Sequence, residues 1–490
     1  MMSSFWRLVF CGVLVGGAMR HAEAFSLLGP LPDWQTTEIG YNIPFITADL
    51  GGPMNLGEEY RWNIPLITYG FDESFLNYFG AKGVEEIEKA IKVFNDLPPF
   101  SEIDLSKYPL DTRRVNYRAS ALYLLDLKSW VMGAMLEVLG LGPAERYVWT
   151  LRSRTVIDNI PYYVVMKRNF DPITFEPTAY VNGTLYTYLV LQTYTNPDIW
   201  EAVEVEVDPS LPSVSSVSAT MTGGGTIFAS GYYVNNMPGL FYTGLTRDDV
   251  GGLRYIYRKN NVNMETLATN VVAAPRSLKE GNYLIGAEST SPWAAPPGLV
   301  YTNVTGTNAA VLQALRTGID KLNFTRVDFD SYTGFWVPMT NVYVDYYVTN
   351  STIKKQLVQR ALAQPDILFS AADLGLSQDG FPVFFLRTSG WVNQDAINGI
   401  SGTALDGPGM ISPPIELTFS KLGQYLINTP EGGEADGFLD YWWGSYDGTT
   451  NAPIVYPSGT SVMTIENLVQ SGKVDEGPSP WRSPSDQQGR

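Results

Sequence analysis

The amino-acid sequence predicts an α+β protein with more than one domain, and three observations support that prediction. The chain has 490 residues, of which 44% are hydrophobic and 13% aromatic, which is enough apolar material for sizeable cores. Apolar residues recur at helical spacing in three stretches of the first half. Residues 145–206 alternate like β-strands, with runs such as LYTYLVLQTY. We therefore expect a twisted sheet with three helices, followed by a second domain that is α+β or β-rich.

The first 24 residues have the pattern of a secretory signal peptide. Arg7 supplies a positive charge, and the apolar core at 8–19 is too short to span a bilayer. Ala22-Glu23-Ala24 matches an A-x-A cleavage site. We expect cleavage after Ala24 and secretion to the extracellular or periplasmic space.

Histidine and cysteine occur once each, as His21 and Cys11, and both lie in this predicted signal segment. The mature protein would then hold no Ser-His-Asp triad, no Cys-His pair, no thiolate or histidine metal site and no disulfide. Secretion without cysteine is typical of a bacterial envelope or extracellular protein. The net charge of −17 disfavours phosphate backbones, so we expect no nucleic-acid partner. No later segment is apolar enough to predict a membrane span.

An extended arm at 25–58 precedes a predicted first domain at 59–260. The elements of this domain are expected in this order: a strand at 60–71, helices at 83–97 and 119–141, strands within 145–206, and a helix at 245–257. Because proline has no N–H to donate to a sheet, Pro65 predicts that the first strand lies at a sheet edge or contains a bulge. The second helix is apolar nearly all round, so we expect it at the centre of its domain. Thr246 is positioned to cap the last helix.

A linker at 261–300, rich in Asn, Ala, Pro and Gly, precedes a predicted C-terminal α+β domain at 301–470. Its elements are expected as helices at 309–322 and 353–363 and strands at 324–330, 340–348, 382–387 and 415–419. Residues 471–490 are polar and rich in Pro and Ser, so we expect a disordered tail.

Three short features lie in a characteristic order within 60–257. The second helix ends with LGLG at 139–142, and Met237-Pro238 precedes the last helix. That helix opens with a Leu-x-x-Asp-Asp-x-x-Gly-Leu element, formed by Leu245, Asp248, Asp249, Gly252 and Leu253. In these features the region, which is under half of the chain, resembles matrixin-like metzincin metalloproteases. The resemblance implies a metzincin-like fold, with Met237 in the place of the Met-turn.

The family's active-site motif, H-E-x-x-H-x-x-G-x-x-H, can be placed on the second helix with its glycine at Gly140. The first zinc-ligand position then falls on Gly133, the general base on Ala134, the second ligand on Glu137 and the third on Pro143. Catalytic zinc needs three protein ligands and a bound water. Glycine and proline offer no side-chain donor, so the resemblance implies a pseudoenzyme with no zinc and no catalytic residue.

One face of the second predicted helix is less apolar than the rest. Asp126, Trp130, Gly133 and Glu137 share it, because positions three and four apart are neighbours on a helix. If this stripe lines a former cleft, Trp130 and Glu137 are candidates for ligand binding. If it does not, it is the solvated edge of the helix, and we favour this second interpretation.

Aromatic rings and carboxylates also cluster near the C-terminus. Trp442, Trp443 and Tyr446 lie among acids at 431, 434, 436, 440 and 447. Flat rings beside carboxylates suit sugar binding, and a carboxylate pair could cleave glycosides without histidine. Acidic loops can hold calcium, although the D-x-D-x-D-G register is absent. The simpler interpretation is that Trp442 and Trp443 bracket a strand, one in the core and one at the rim.

The sequence thus predicts a secreted, non-catalytic protein with a binding or structural role, on a degenerate metalloprotease-like scaffold. Its partner would be an unidentified protein or glycan, and no cofactor is predicted. Two alternatives stay open. One is a glycan-binding or glycan-cleaving protein that uses the C-terminal aromatics, and the other is an extracellular assembly or surface-layer component.

Overall fold

The computed structural model describes residues 24–41, 51–192, 198–207, 238–274, 284–285, 310–372, 385–388, 391–392, 409–421, 424–428, 435–440 and 442–457. In these residues the protein is a mixed α+β structure with few helices and many strands, which confirms the predicted class. The described residues include no helix that is both long and apolar enough to cross a membrane. Residues 1–23 of the predicted signal segment at 1–24, the predicted tail and Met237 lie outside them.

The helices of the described part are α1 (Glu73–Asn95), α2 (Tyr117–Ala121), α3 (Leu127–Val138), α4 (Ala144–Tyr147) and α5 (Arg247–Tyr257). Short 3₁₀ turns lie at Thr37–Ile39, Phe100–Glu102 and Leu105–Lys107.

The strands of the first half are β1 (Phe25–Gly29), β2 (Gly52–Pro53), β3 (Tyr60–Arg61), β4 (Leu66–Phe71), β5 (Arg113–Val115), β6 (Leu124–Asp126), β7 (Leu141–Gly142), β8 (Thr150–Ile157), β9 (Ile160–Met166), β10 (Asn169–Phe170), β11 (Tyr180–Val181), β12 (Thr184–Gln192), β13 (Trp200–Glu206) and β14 (Leu240–Tyr242). Those of the second half are β15 (Asn263–Thr266), β16 (Val271–Ala273), β17 (Leu284–Ile285), β18 (Gln313–Arg316), β19 (Asn323–Arg326), β20 (Phe329–Asp330), β21 (Phe335–Trp336), β22 (Met339–Thr349), β23 (Thr352–Leu362), β24 (Ile367–Ala372), β25 (Phe385–Thr388), β26 (Trp391–Val392), β27 (Gly409–Ile411), β28 (Ile415–Ser420), β29 (Gln424–Asn428), β30 (Ala435–Asp440), β31 (Trp442–Ser445) and β32 (Ile454–Val455).

A five-stranded sheet packs against α1, with strand order β19-β4-β24-β28-β25. The first four strands are parallel and β25 is antiparallel. Aromatic rings join sheet and helix, with 5.1 Å between the ring centroids of Phe71 and Phe75 and 5.5 Å between those of Phe71 and Phe369.

The strand predicted at 60–71 is two strands, β3 and β4, and Pro65 lies between them. The predicted edge position is correct for β3, which ends the sheet β26-β27-β3, and wrong for β4, which lies inside its sheet. Because Pro65 precedes β4, its missing N–H removes no hydrogen bond from that strand, and its carbonyl accepts one from Asn323 N.

The five-stranded sheet contains strands from both predicted domains. β4 comes from 59–260 and lies between β19 and β24, which come from 301–470. The largest hydrophobic core also includes residues from both regions. β1, in the predicted arm, is entirely buried, and β15 and β16, in the predicted linker, pair with β18 and β23. The division into two domains stays a prediction, but the described strands on either side of it share one sheet and one core.

The single helix predicted at 119–141 is in fact α2, β6 and α3. Tyr123 adopts a φ of 54°, and β6 pairs in parallel with β31. The carboxylate of Asp126 then accepts a hydrogen bond from Ser129 N and starts α3. A non-local strand pairing and a local cap therefore override the continuous apolar pattern. The predicted central position is confirmed, because all of α3 except Lys128 is buried.

The two other helices predicted in the first half of the chain are both present. The helix at 83–97 is the second part of α1, which begins earlier, at Glu73, and is interrupted at Gly80. The helix at 245–257 is α5, where Thr246 and Asp249 form a reciprocal capping box, as predicted for Thr246.

The helices predicted at 309–322 and 353–363 were wrong, because these segments contain β18 and β23. β23 pairs along its full length with β22 across a two-residue turn, Asn350-Ser351, whose φ angles are 48° and 57°. Positive φ at both turn residues is the geometry that closes a tight hairpin. The strands predicted at 324–330, 340–348 and 415–419 are confirmed as β19, β22 and β28. Of the strand predicted at 382–387, residues 385–387 are confirmed in β25, and 382–384 lie outside the described residues.

Candidate functional site

The motif positions placed on the second predicted helix lie in the packed interior. Ala134 is 3% exposed and Glu137 5% exposed, and Gly133 and Pro143 are also buried. α3, which carries the first three, contacts α1, β14 and β31. In this structure these positions therefore contribute to packing rather than to the lining of an open cleft.

Gly140 follows the C-cap of α3, and its surroundings explain the residue type. Its φ is 95°, and an added Cβ would collide with the carbonyl oxygen of Tyr60. Its own carbonyl accepts a 2.8 Å hydrogen bond from Leu28 N. Glycine is needed here because β1 and β3 approach the backbone closely.

The less apolar stripe of the helix is neither a solvated edge nor the lining of an open cleft. Asp126 is 2% exposed, Trp130 4% and Glu137 5%. Trp130 packs edge-on against the ring of Trp443, with 5.7 Å between the centroids. Local periodicity identified the stripe, but it could not show that other elements cover it.

Asp126, in this stripe, has a strongly shifted pKa. Its Oδ2 accepts hydrogen bonds from Ser129 N at 2.9 Å and Ser129 Oγ at 2.5 Å. Its Oδ1 is buried and has no hydrogen-bond partner among the described residues. Burial, with a smaller contribution from the carboxylate of Glu86, outweighs the hydrogen bonds from Ser129 and raises the pKa of Asp126 to about 7. The carboxyl group can therefore hold a proton near neutral pH.

The C-terminal aromatic cluster is mostly core. Trp443 is fully buried, and its Nε1 donates a 2.8 Å hydrogen bond to Ser420 O. Tyr446 is 6% exposed, and its hydroxyl donates to Leu124 O at 2.9 Å. Trp442 is half-buried at the rim, so the prediction that the two tryptophans bracket a strand is confirmed in β31. Neither Trp443 nor Tyr446 offers a ring face to a sugar.

Most of the acidic residues near the C-terminus that calcium could have bound lie outside the described residues. Glu431 and Glu434 lie outside the described part, as do the side chains of Asp436 and Asp440. Within the described residues, no group of three or more His, Cys, Asp or Glu side chains could hold a metal ion.

A cluster of glutamates near α4 was missed by sequence reasoning. Tyr186 donates a 2.6 Å hydrogen bond to Glu145, and Arg146 Nε lies 3.9 Å from Glu201 Oε1. Burial raises the pKa of Glu204 well above its usual range, and the charges of Glu145 and Glu201 raise it further. The packing of α4 against β13 brings these groups together. The cluster can hold a proton.

An open groove lies where the parallel strands β4 and β28 end, the usual place for ligands in such sheets. Its volume is about 540 Å³, and Glu73, Ser74, Asn77, Tyr78 and Lys421 line it. Two hydrogen bonds already engage the Ser74 hydroxyl, which donates to Asp72 and accepts from Ala371 N. The Ser74 hydroxyl is therefore already engaged within the chain.

Three hairpins with exposed apolar side chains were also missed. The β8–β9 hairpin exposes Ile157, Ile160, Tyr162 and Val164 by 53–55% each. The β20–β21 hairpin exposes Phe329, Tyr332, Phe335 and Val337, with Tyr332 fully exposed, and the end of the β22–β23 hairpin exposes Tyr346 and Ile353. The signals that could have identified two of them are the turn pairs Asp158-Asn159 and Asn350-Ser351 between β-branched and aromatic runs.

No family model, curated protein or solved structure matches this chain. The resemblance to matrixin-like proteases therefore stays a prediction from the sequence features, and the structure supports the α+β class alone.

Proposed function

We propose that the chain is a non-catalytic structural protein that acts outside the cytoplasm, as one component of an assembly. In this proposal the metalloprotease-like frame is a scaffold, and Gly133, Ala134, Glu137 and Pro143 contribute to its packing. The predicted non-catalytic role is thereby combined with the alternative of an extracellular assembly component. The expectation that the chain is secreted rests on the signal-peptide pattern at 1–24.

The observation that carries the proposal is the set of exposed hairpins. The β8–β9 hairpin has four large apolar side chains that are more than half exposed. Contiguous exposed apolar surface of this kind marks an interaction site. Hairpins that project from a packed body are suited to contact neighbouring molecules.

The glycan alternative receives less support from the geometry. It depended on Trp442, Trp443 and Tyr446, of which two are buried and the third is half-buried. A sugar would therefore have to stack on other rings.

The experiment is a concentration series of the purified chain in sedimentation velocity, with negative-stain electron microscopy of the largest species. We expect species larger than one chain that grow with protein concentration, because the exposed hairpins become covered. A single-chain species at every concentration and salt condition would overturn the proposal. Protein recovered from the exported fraction should begin at Phe25 by mass spectrometry.

A further inference from the structure

The paired strands β12 and β13 pack one face against the body of the protein, and that face carries an acid. Trp200, Ala202 and Glu204 alternate along β13 and therefore point to the same side. Trp200 and Ala202 pack in one apolar cluster. Tyr186 of β12, directly opposite Glu206, packs in a second apolar cluster with residues of α4. Glu204 thus lies between two apolar clusters.

The surroundings of Glu204 contain more negative charge than positive charge. The carboxylates of Glu145 and Glu201 both act on it, and the guanidinium of Arg146 opposes them. That guanidinium is directed at Glu201 and at the carbonyl of Gly40, to which it donates a 3.2 Å hydrogen bond. Oε2 of Glu204 is buried and has no hydrogen-bond partner among the described residues. Three carboxylates therefore share one guanidinium, and ionising all of them in a buried place is unfavourable.

Burial raises the pKa of Glu204 well above its usual range, and the charges of Glu145 and Glu201 add to the rise. A hydrogen bond from its own backbone and the charge of Arg146 act in the opposite direction. A neutral carboxyl group is therefore the form that this packed position favours.

Four elements pack against β13, namely β12, α4, β8 and the 3₁₀ turn at Thr37–Ile39. Besides the groups already named, the charged or titratable side chains of β13 and of these elements are Tyr147, Arg152, Arg154, Tyr186, Tyr188, Glu206 and Glu38. Tyr188 lies directly opposite Glu204, and Glu38 is exposed. The two arginines of β8 lie over the rings of Trp34 and Trp200. Arg146 is thus the cation that these elements direct into the cluster.

We propose that the β12–β13 pair is a pH-sensitive flap, which docks on the body while Glu204 carries a proton and detaches as Glu204 loses it. A neutral carboxyl group can stay between the apolar clusters. An ionised one gains full hydration only when β13 moves away from α4. The flap is a property of one chain, so it goes beyond the proposed assembly function and does not depend on it.

The direction of the pH effect follows from the raised pKa of Glu204. The docked flap keeps a proton that a hydrated carboxyl group, with its usual pKa of 4.5, releases. The stability that this proton gives to docking is fully present below pH 4.5 and is lost as pH rises through the raised pKa. Each unit by which docking raises the pKa changes the docking equilibrium about tenfold.

The test is hydrogen–deuterium exchange of the full chain from mildly acidic to mildly alkaline pH. Unmodified chain and Glu204→Gln are compared at each pH, so the pH dependence of the exchange chemistry cancels. The readout is the protection of the amides in β12 and β13, because detachment of the flap opens them to exchange. The amides of β22 and β23 report global unfolding in the same sample. Glu206→Gln is the matched control, since it removes an acid from the same face of the same strand.

We expect the protection of the flap in the unmodified chain to fall at least about tenfold relative to Glu204→Gln as pH rises. Glu206→Gln should follow the unmodified chain, and β22 and β23 should be equally protected in all three proteins. Glu145→Gln removes one repelling charge and keeps an oxygen for the Tyr186 hydroxyl, so its fall should be smaller.

Three outcomes would overturn the flap. The unmodified chain and Glu204→Gln could show equal protection at every pH, or Glu206→Gln could also remove the fall. The protection of β22 and β23 could fall as much as that of the flap, which would mean that the whole chain unfolds. If Glu204→Gln does not fold, Glu145→Gln decides, because a fall as large as that of the unmodified chain contradicts the proposal.

Discussion

Helix α3 and the two-stranded ribbon formed by β8 and β9 are both rich in apolar residues, yet their environments are opposite. α3 is buried on all sides except at Lys128, with α1, β14 and β31 around it. The ribbon lies against the body on one face and exposes Ile160, Tyr162 and Val164 on the other. The difference shows that apolar composition indicates which surfaces need covering, and tertiary topology decides whether the chain covers them itself.

The same comparison separates scaffold from function. The positions at which a protease would place its chemistry lie on the covered element, where Glu137 is 5% exposed. The exposed apolar surface lies on the ribbon and on the β20–β21 hairpin. Conclusions about function therefore follow more directly from the exposed hairpins than from the motif frame.

The largest expected contrast comes from truncating one aliphatic side chain in each region. Leu136 in α3 is fully buried, so Leu136→Ala should lower the free energy of unfolding by about 2–5 kcal/mol through lost contacts and a cavity. Val164→Ala on the ribbon should change it by less than about 0.5 kcal/mol, because Val164 is 53% exposed. Chemical denaturation of both variants at a concentration where the chain is monomeric measures the difference. Equal effects would contradict the contrast between the regions.

The second contrast is pH-dependent and concerns the cap of α3. The pKa of Asp126 rises from 3.8 to about 7 on burial, so the folded protein keeps a proton that the unfolded chain releases. The stability contributed by this proton is present at acidic pH and is lost as pH rises from about 4 to about 7. Asp126→Asn keeps the cap and removes the charge. Above pH 7 it should raise the free energy of unfolding by up to about 4 kcal/mol, with little effect at the acidic end.

Thermal unfolding of both proteins from acidic to mildly alkaline pH tests this expectation. Asp72→Asn is the control, because Asp72 is the half-buried N-cap of α1. It measures how far replacing an N-cap aspartate with asparagine changes the free energy of unfolding at another helix. Parallel pH profiles for the unmodified chain and Asp126→Asn would show that Asp126 does not titrate as described.

The third contrast compares two glycines with similar backbone conformations. Gly140 has a φ of 95° and Gly183 a φ of 89°. An alanine costs about 1–2 kcal/mol in this left-handed region. At Gly183 the nearest atom to an added Cβ is 3.6 Å away, whereas at Gly140 the Tyr60 carbonyl stands in its place. Gly140→Ala should therefore destabilise by about 3 kcal/mol or more, since overpacking adds to the strain, and Gly183→Ala by strain alone. Denaturation midpoints of the two variants that agree would show that the close approach of β3 is unimportant.

Elements with a local cause were predictable from the sequence. The capping of α5 by Thr246, the amphipathic part of α1 and the strands β19, β22 and β28 follow from caps and short periodic patterns. The failures have a non-local cause. β23 has a spacing of apolar residues that suits a helix, but its pairing with β22 makes it a strand.

Among the candidate site residues, those with a local cause were also predictable and those with a non-local cause were not. The two tryptophans of β31 were correctly interpreted as core and rim, because alternation along a strand is a local property. The burial of Asp126 and the convergence of Glu145, Glu201 and Glu204 were not foreseen. Each depends on elements that are distant in sequence and meet only in the folded chain.

By itself, the sequence determined the α+β class and the capping of α5 by Thr246. It also limited histidine and cysteine to one residue each, His21 and Cys11. These properties are set by composition and by interactions within a few residues. Tertiary structure alone decided that β4 lies inside a sheet, that α3 is covered, and that the β8–β9 and β20–β21 hairpins expose apolar side chains. The physical reason is that burial depends on which distant segments pack together, and a one-dimensional pattern does not specify that choice.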